Sequence, residues 1–304
     1  MHATTLKNIT ELKDTYDSLK QGKESLLTLL EEAEMPESVY NSNAIENSTL
    51  TLDETERLLL YKEMPVHHSQ REVFEAVNLA KVTEYLGVKL DKKEQLNELL
   101  ILNVHETLLT NIHDKCAGRY RKNDEHVRIG THIAPPPAEV PTLMEKVIEG
   151  YHSDKEDLLQ RIVNFHLEFE RIHPFLDGNG RTGRALITYQ LKIHGYPPVI
   201  VPNKGKHNHY YPCFVDYEYD GSTKPFELLL AVLLKEALHK RITYLKSEDI
   251  VLLSKIGKEY PQHSPQSLAT LAKKQSLPAF RERGRWKVGK KSFDCWDRNH
   301  AHSL

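Results

Sequence analysis

The chain has 304 residues and a mass of 35.1 kDa, a length that fits about two domains. Its 41 Lys/Arg against 43 Asp/Glu give a net charge of −2 and a pI near 6.8, which excludes a polycation built along its whole length to coat nucleic acid or an anionic membrane. With 39% hydrophobic and 28% charged residues it is too apolar for a disordered chain and too polar for a membrane protein, and its longest apolar run, residues 228–234, is too short to span a bilayer.

The first residues, MHATTLKNITELKD, lack the apolar core of a signal peptide, so a cytoplasmic location is expected. Cys116, Cys213 and Cys295 are odd in number and far apart, which fits thiols in a reducing compartment better than a disulfide framework or a metal knot. Pro36 is suited to open a short helix running to about Asn47, and Thr51-Leu52-Asp53-Glu54 fits a capping box for a helix that ends before Pro65. Leu96, Leu100, Val104 and Leu108 recur every fourth residue. Leu158, Ile162, Phe165 and Phe169 repeat the helical spacing, as do Phe226, Leu230, Leu233 and Ala237. One stretch differs: Val127 to Ile133, VRIGTHI, alternates with period two around a glycine and runs into three prolines, as a small hairpin would. The tail is basic. Residues 251–304 hold 11 Lys/Arg against 4 Asp/Glu, a charge of +7 that leaves −9 for residues 1–250, and RGRWKVGKK reads as a second hairpin. The expected fold class is mainly α, with one hairpin in the main body and another in the tail.

Residues 173–184, HPFLDGNGRTGR, lie at a helix–loop–helix junction. Gly178 and Gly180 let backbone N–H groups converge ahead of the second helix, expected to start near Arg181, and that helix end favours an anion. Arg181 and Arg184, three apart, fall on one side of the first turn and can fork onto phosphate oxygens. Asp177 supplies a hard oxygen donor suited to Mg²⁺ held mainly by substrate phosphates and water. His173 is a general base for neutral pH. The loop offers no Ser or Cys nucleophile, so the attacking group belongs to the second substrate, and the chemistry read from the residues is nucleotidyl or phosphoryl transfer.

This segment is a complete instance of the Fic motif HxFx(D/E)GNGRxxR, and the chain is identified as resembling that family from about residue 95 to 245, through Gly118-Arg119-Tyr120-Arg121, the hairpin and its prolines, His209-Tyr210-Tyr211 and Lys224-Pro225-Phe226. The resemblance implies a helical Fic bundle that moves AMP from ATP to a hydroxyl of a target protein. It assigns His173 as base, Asp177 to Mg²⁺, Gly178, Asn179, Gly180 and Arg181 to the phosphates, and Arg184 to the γ-phosphate. Tyr210 and Tyr211 would flank the base. The flap residues Val127, Arg128, Ile129, Thr131, His132 and Ile133 would hold the target by main-chain pairing. DYEYDG, further on, departs from the family's Asn-containing stretch.

Upstream, Ser42-Asn43-Ala44-Ile45-Glu46-Asn47 fits the family's inhibitory pattern (S/T)xxxE(G/N), which implies that Glu46, on one helical face with Ser42, pairs with Arg184 and withholds it from ATP. The tail resembles a winged helix, with Ser267 to Ala272 and Leu277-Pro278-Ala279 as a helix–turn–helix. Such modules contact DNA, form homodimers or dock proteins. The expected division is residues 1–94, a helical region carrying the inhibitory helix; 95–245, the catalytic domain; and 246–304, the winged-helix-like domain. Three alternatives stand beside AMP transfer: removal of AMP by the same pocket, use of another nucleotide, and a DNA-binding regulator whose core only senses nucleotide.

Overall fold

The structure is a computed structural model that describes residues 1–153 and 155–300. It divides into two compact units. The first comprises Glu34–Leu229 with Met1, the second His2–Ala33 with the chain from Leu230 onward. Two helices open the chain, α1 (Ala3–Lys20) and α2 (Glu24–Ile45), and the boundary between the units falls within α2. Pro36 does not start a helix as expected; it lies inside α2. A proline there removes only its own N–H from the helical ladder, and the helix continues on both sides.

In the first unit Thr51 caps α3 (Leu52–Glu56) with a complete capping box, as its sequence predicts, and a π-helical turn over Arg57–Tyr61 follows. A second capping box, Ser69 with Glu72, opens α4 (Gln70–Asp91). The body is then α5 (Glu98–Leu109), the hairpin β1 (Arg128–Ile129) and β2 (His132–Ile133), α6 (Val140–His152), α7 (Leu158–Ile172) and α8 (Asn179–Ile193). The stripe Leu96, Leu100, Val104 and Leu108 is fully buried, as are Ile162, Phe165 and Phe169, so these periodic faces are the surfaces on which α4, α5, α7 and α8 pack. Short α9 (Lys206–His209) and α10 (Tyr211–Asp220) complete the unit, and α11 (Lys224–Leu245) leads out of it.

The second unit places β3 (Ile250–Leu252), α12 (Leu253–Glu259), α13 (Pro265–Lys273), β4 (Ala279–Glu282), β5 (Arg285–Gly289) and α14 (Lys290–His300) around a core of Leu253, Ile256, Leu268, Ala272, Leu277, Val288, Phe293 and Trp296. Its antiparallel sheet has the order β3-β5-β4. Arg283 and Gly284, at φ 51° and 71°, make the two-residue turn between β4 and β5, a primed turn whose twist suits a hairpin. The two helices ahead of the β4–β5 hairpin are α12 and α13. Leu277-Pro278-Ala279 forms no second helix after Ser267 to Ala272, because Pro278 interrupts helical continuation and Ala279 already pairs with Val288 in the sheet. Among the described residues no helix is long and apolar enough to cross a membrane.

Candidate active site

The last turn of α7 delivers His173. As the C-cap it adopts φ 49°, ψ 64°, its N–H donating to the Phe169 carbonyl at 2.9 Å. That left-handed conformation is uncommon outside glycine and asparagine, and Pro174 behind it forbids a further turn. The helix end is held from outside by Arg121, fully buried, whose Nε donates to the His173 carbonyl at 2.8 Å and whose Nη2 donates to Ile172 O at 3.1 Å and to Pro135 O. One guanidinium thus satisfies carbonyls that the helix leaves unpaired and ties them to the prolines after the hairpin.

The loop is braced on its inner side. Asn179 accepts from Phe175 N–H at 2.9 Å and donates to Phe175 O at 2.8 Å, so its side chain closes the loop while its backbone stays at the start of α8. His105 stacks on Phe175 with centroids 3.7 Å apart, accepts from Gly118 N–H at 3.1 Å, and places Nε2 3.0 Å from the Asp177 carbonyl. Burial pushes its pKa down to about 4, so it braces as a neutral ring. Gly178, at φ 81°, precedes Asn179 as N-cap; a Cβ there would lie 2.7 Å from Leu109. Helix α8 therefore starts two residues earlier than its charges suggested, because the Asn179 amide rather than Arg181 turns the chain.

A cavity of about 550 Å³ opens over this helix start, lined by His173, Asp177, Gly180, Arg181 and Arg184, by the hairpin residues Ile129 to His132, and by Tyr210, Tyr211 and Tyr217. Asp177 is paired with Arg71 of α4 and lies 3.4 Å from Arg181 Nη2; Glu75, also of α4, is 3.2 Å from Arg181 Nη1 and 2.9 Å from Arg71 Nε. Burial pushes the Asp177 carboxyl up, yet the arginines outweigh it and keep the group below its ordinary value.

Arg184 is also buried, its side chain 6% exposed. Its Nε donates to Ser42 Oγ at 3.0 Å, and its Nη2 donates to Ser42 O at 2.8 Å and to Glu46 Oε1 at 2.8 Å. The Glu46 carboxylate also presses on the first turn of α8: a Cβ on Gly180 would fall 2.2 Å from Oε1. Burial raises the Glu46 pKa, but the charge and hydrogen bond of Arg184 prevail and lower it below the usual carboxylate range. Asn47 explains the final position of the pattern. It sits at φ 70°, where Ser48 N–H bonds Asn43 O and Asn47 N–H bonds Ala44 O, a Schellman ending that requires the conformation glycine and asparagine tolerate best. Lys206 Nζ donates to Ala44 O, Ile45 O and Asn47 Oδ1, and the Tyr211 hydroxyl donates to Ile45 O at 2.7 Å.

The His173 Nδ1 faces back along α7, 3.4 Å from Glu170 O and 3.8 Å from Glu170 Oε2, while Nε2 makes no hydrogen bond among the described residues. Burial above all pushes its pKa down to about 4, so the ring is neutral at pH 7. In the hairpin Arg128 pairs with Ile133 and Ile129 with His132, with Ala134 N–H returning to Val127 O. His132 anchors it, with Nδ1 2.8 Å from Glu218 Oε1 and Nε2 2.8 Å from Arg171 O, while Arg128, Ile129, Thr131 and Ile133 are exposed.

Residues 95–191 match the Fic/DOC family. Over those residues this chain resembles a Fic domain. It is 29% identical over 230 residues to Protein adenylyltransferase Fic of Drosophila mojavensis, covering 74% of this chain and 45% of that protein, and 29% identical to the protein of the same name from Drosophila virilis, 46% of which is covered. The chain thus spans less than half the length of these curated relatives. Among solved structures it is similar to a Fic domain containing signaling protein from Bacteroides thetaiotaomicron VPI-5482, with TM-score 0.72, 25% identity and coverage of 80% of this chain and 98% of the other. Fic-1 from C. elegans gives TM-score 0.69 at 25% identity, with 79% and 71% covered. A Fic family protein from Desulfovibrio desulfuricans G20 shares the fold over 95% of this chain, with TM-score 0.67 and 21% identity.

The sequence-derived residues His173, Asp177, Gly178, Gly180, Arg181, Arg184 and Glu46 line one cavity, and Ser42 joins them through its hydrogen bonds to Arg184. Tyr210 is placed less as a wall for a base than as support: it is buried, its ring centroid 5.8 Å from the Arg184 guanidinium and its hydroxyl 3.1 Å from His166 Nε2. Sequence reasoning missed Arg71, Glu75, His105, Glu170 and Lys206. Serine-capped α4 with Arg71 and Glu75 at i,i+4 carried a signal, but nothing in one sequence places that helix over the loop. A divalent cation would find one loop carboxylate, Asp177, and no cluster of three or more His, Cys, Asp or Glu among the described residues. That donor set fits Mg²⁺ held through substrate phosphates and water.

Proposed function

We propose that this chain is an autoinhibited protein adenylyltransferase that transfers AMP from ATP to a Ser, Thr or Tyr hydroxyl of a target protein, and that it works in the cytoplasm. The observation that carries this reading is the engagement of Arg184 by Ser42 and Glu46 over the first turn of α8, in a cavity that also holds a neutral histidine. A helix start facing an arginine is an anion site, and the anion in it is a carboxylate of the chain itself. With Glu46 withdrawn, Arg184 is free for the γ-phosphate, and the amides of Gly178 to Arg181 receive the other phosphates. The target hydroxyl attacks the α-phosphorus as pyrophosphate leaves, and its proton passes to His173 Nε2. Mg²⁺, held by Asp177 with substrate oxygens, would neutralise charge on the phosphates; Arg71 and Arg181 must then share that carboxylate with it. The exposed two-stranded hairpin suits main-chain pairing with a target segment.

The regulator alternative draws on the basic tail, but part of that charge is spent inside its own unit: Arg281 pairs with Glu236, Lys287 with Glu282 and Lys290 with Glu259. Fewer cations remain for phosphates than the count of +7 implies. Incubation with α-labelled ATP and Mg²⁺ tests the choice. Label on protein, strengthened in Glu46→Gly, is the expected result; salt-sensitive retention of duplex DNA with no label in either protein would overturn it.

A further inference from the structure

Glu170 is a carboxyl group in the cavity that the reaction above leaves without a task. It stands one turn before His173 on α7, with its side chain 12% exposed. Its Oε1 is fully buried and has no hydrogen-bond partner among the described residues, an unfavourable placement for a polar atom unless something offsets it. Room for it is made by Gly183 of α8, where a Cβ would lie 2.7 Å from Oε1 and about as close to the His166 ring, at 3.0 Å. The other oxygen, Oε2, is 3.8 Å from His173 Nδ1, and the Glu170 carbonyl is 3.4 Å from the same nitrogen. Both oxygen-bearing groups of one residue therefore bracket one side of the imidazole.

We propose that Glu170 is a positioning residue for His173, holding the ring with Nδ1–H turned into α7 and Nε2 turned to the incoming hydroxyl, and strengthening the base when its carboxyl ionises. This rests on the assignment of His173 as base. The proton from the target hydroxyl goes to Nε2, and Glu170 gains none of it. The charged and titratable groups around Glu170 are His166 and His173 on α7, Arg184 on α8, Tyr210 and Tyr211 at the start of α10, and Glu46 just past the end of α2. Burial, with Glu46 adding to it and Arg184 opposing, raises the Glu170 pKa to about 8. Near pH 7 the carboxyl is mostly neutral, Nδ1–H has only the Glu170 backbone carbonyl at 3.4 Å to donate to, and His173 stays a weak base. Above about pH 8 the carboxylate sits beside Nδ1 and raises imidazole basicity, because an opposite charge favours the imidazolium.

The test compares the full chain with Glu170→Gln, an isosteric change that keeps a carbonyl acceptor. Nitrogen NMR of the His173 ring is recorded from pH 6 to pH 10 without nucleotide, and labelling from ATP is followed in the Glu46→Gly background. The expected result is a His173 signal that moves with a midpoint near 8 only when Glu170 is present, and a labelling rate that rises roughly threefold or more through that range with Glu170 but stays flat with Gln. A His173 signal that ignores this pH range, or moves identically in Glu170→Gln, overturns the proposal whether or not label is transferred. A Glu170-dependent NMR step in a protein that transfers no label would instead uphold the pairing and sink the transferase reading.

Discussion

Replacing Glu46 by glycine removes one charge-assisted hydrogen bond of 2.8 Å and the carboxylate that leans on Gly180, while leaving both Ser42 contacts to Arg184. Glycine also suits the end of a helix, so the variant should fold. A hydrogen bond to a charged group contributes about 1.5–3 kcal/mol; because the Glu46 side chain is 40% exposed, solvent screening places its share at the lower end, about 1.5–2 kcal/mol. If that is what ATP must overcome to reach its reactive pose, the variant labels roughly 10- to 30-fold faster. The assay is incorporation of α-labelled AMP into the chain itself and into candidate targets at saturating Mg-ATP, with Arg184→Ala made in both backgrounds. Loss of Arg184 should lower labelling in each, since the freed guanidinium is then missing. Labelling by a folded Glu46→Gly at or below the wild-type rate would falsify the inhibitory role and leave the cavity chemistry standing.

His173→Ala should abolish transfer while calorimetry still detects ATP, because the imidazole acts on the hydroxyl and the loop holds the phosphates; full labelling would remove His173 from its role. Asp177→Ala should lose Mg²⁺-dependent transfer with little change in melting temperature, since Arg71 and Arg181 both keep Glu75. Asn179→Ala deletes two hydrogen bonds to buried Phe175 and should cost about 1–3 kcal/mol of stability by chemical denaturation. Acid should destabilise the fold early: His105 and His173 titrate near 4 and His166 near 3 because of burial. The unfolded chain takes up these protons below about pH 6.5, so stability falls as pH drops from about 6.5 towards 4 and is flat from these groups above 7. A denaturation midpoint that does not change over that window would contradict it.

The catalytic loop was legible because its chemistry is local. Base, metal ligand, glycines and arginines lie within 12 consecutive residues, so a turn and a helix start suffice to bring them together. Helical stripes such as Leu96 to Leu108 were legible for the same reason: burial on one face leaves a period. What stayed hidden was the set of long-range partners. Arg71 reaches Asp177 across 106 positions and Lys206 reaches the end of α2 across 161, and a lone charge on an amphipathic helix carries no mark of its partner. Glu170 was hidden differently. It lies beside the motif, yet a glutamate on a helix is ordinarily solvated, and only the missing side chain of Gly183, 13 residues further on in another helix, shows that it is packed inward.

The inhibitory role proposed for this segment rests on the same physics as the site it covers. The first turn of α8 offers unpaired N–H groups and Arg184, and these attract whichever anion is nearest. Ser42 and Glu46 reach it together because they are four residues apart, and the turn closed by Asn47 carries the Glu46 carboxylate just past the last residue of α2. The clamp of Lys206 and Tyr211 on the Ala44 and Ile45 carbonyls holds that end in place. On the proposed function, Glu46 and a nucleotide phosphate are alternative occupants of one anion site. The same proposal makes the resting state a matter of the local concentration of a carboxylate fixed a few ångströms away, and on it activation needs only a partner, or a change in the Lys206 clamp, that withdraws the end of α2.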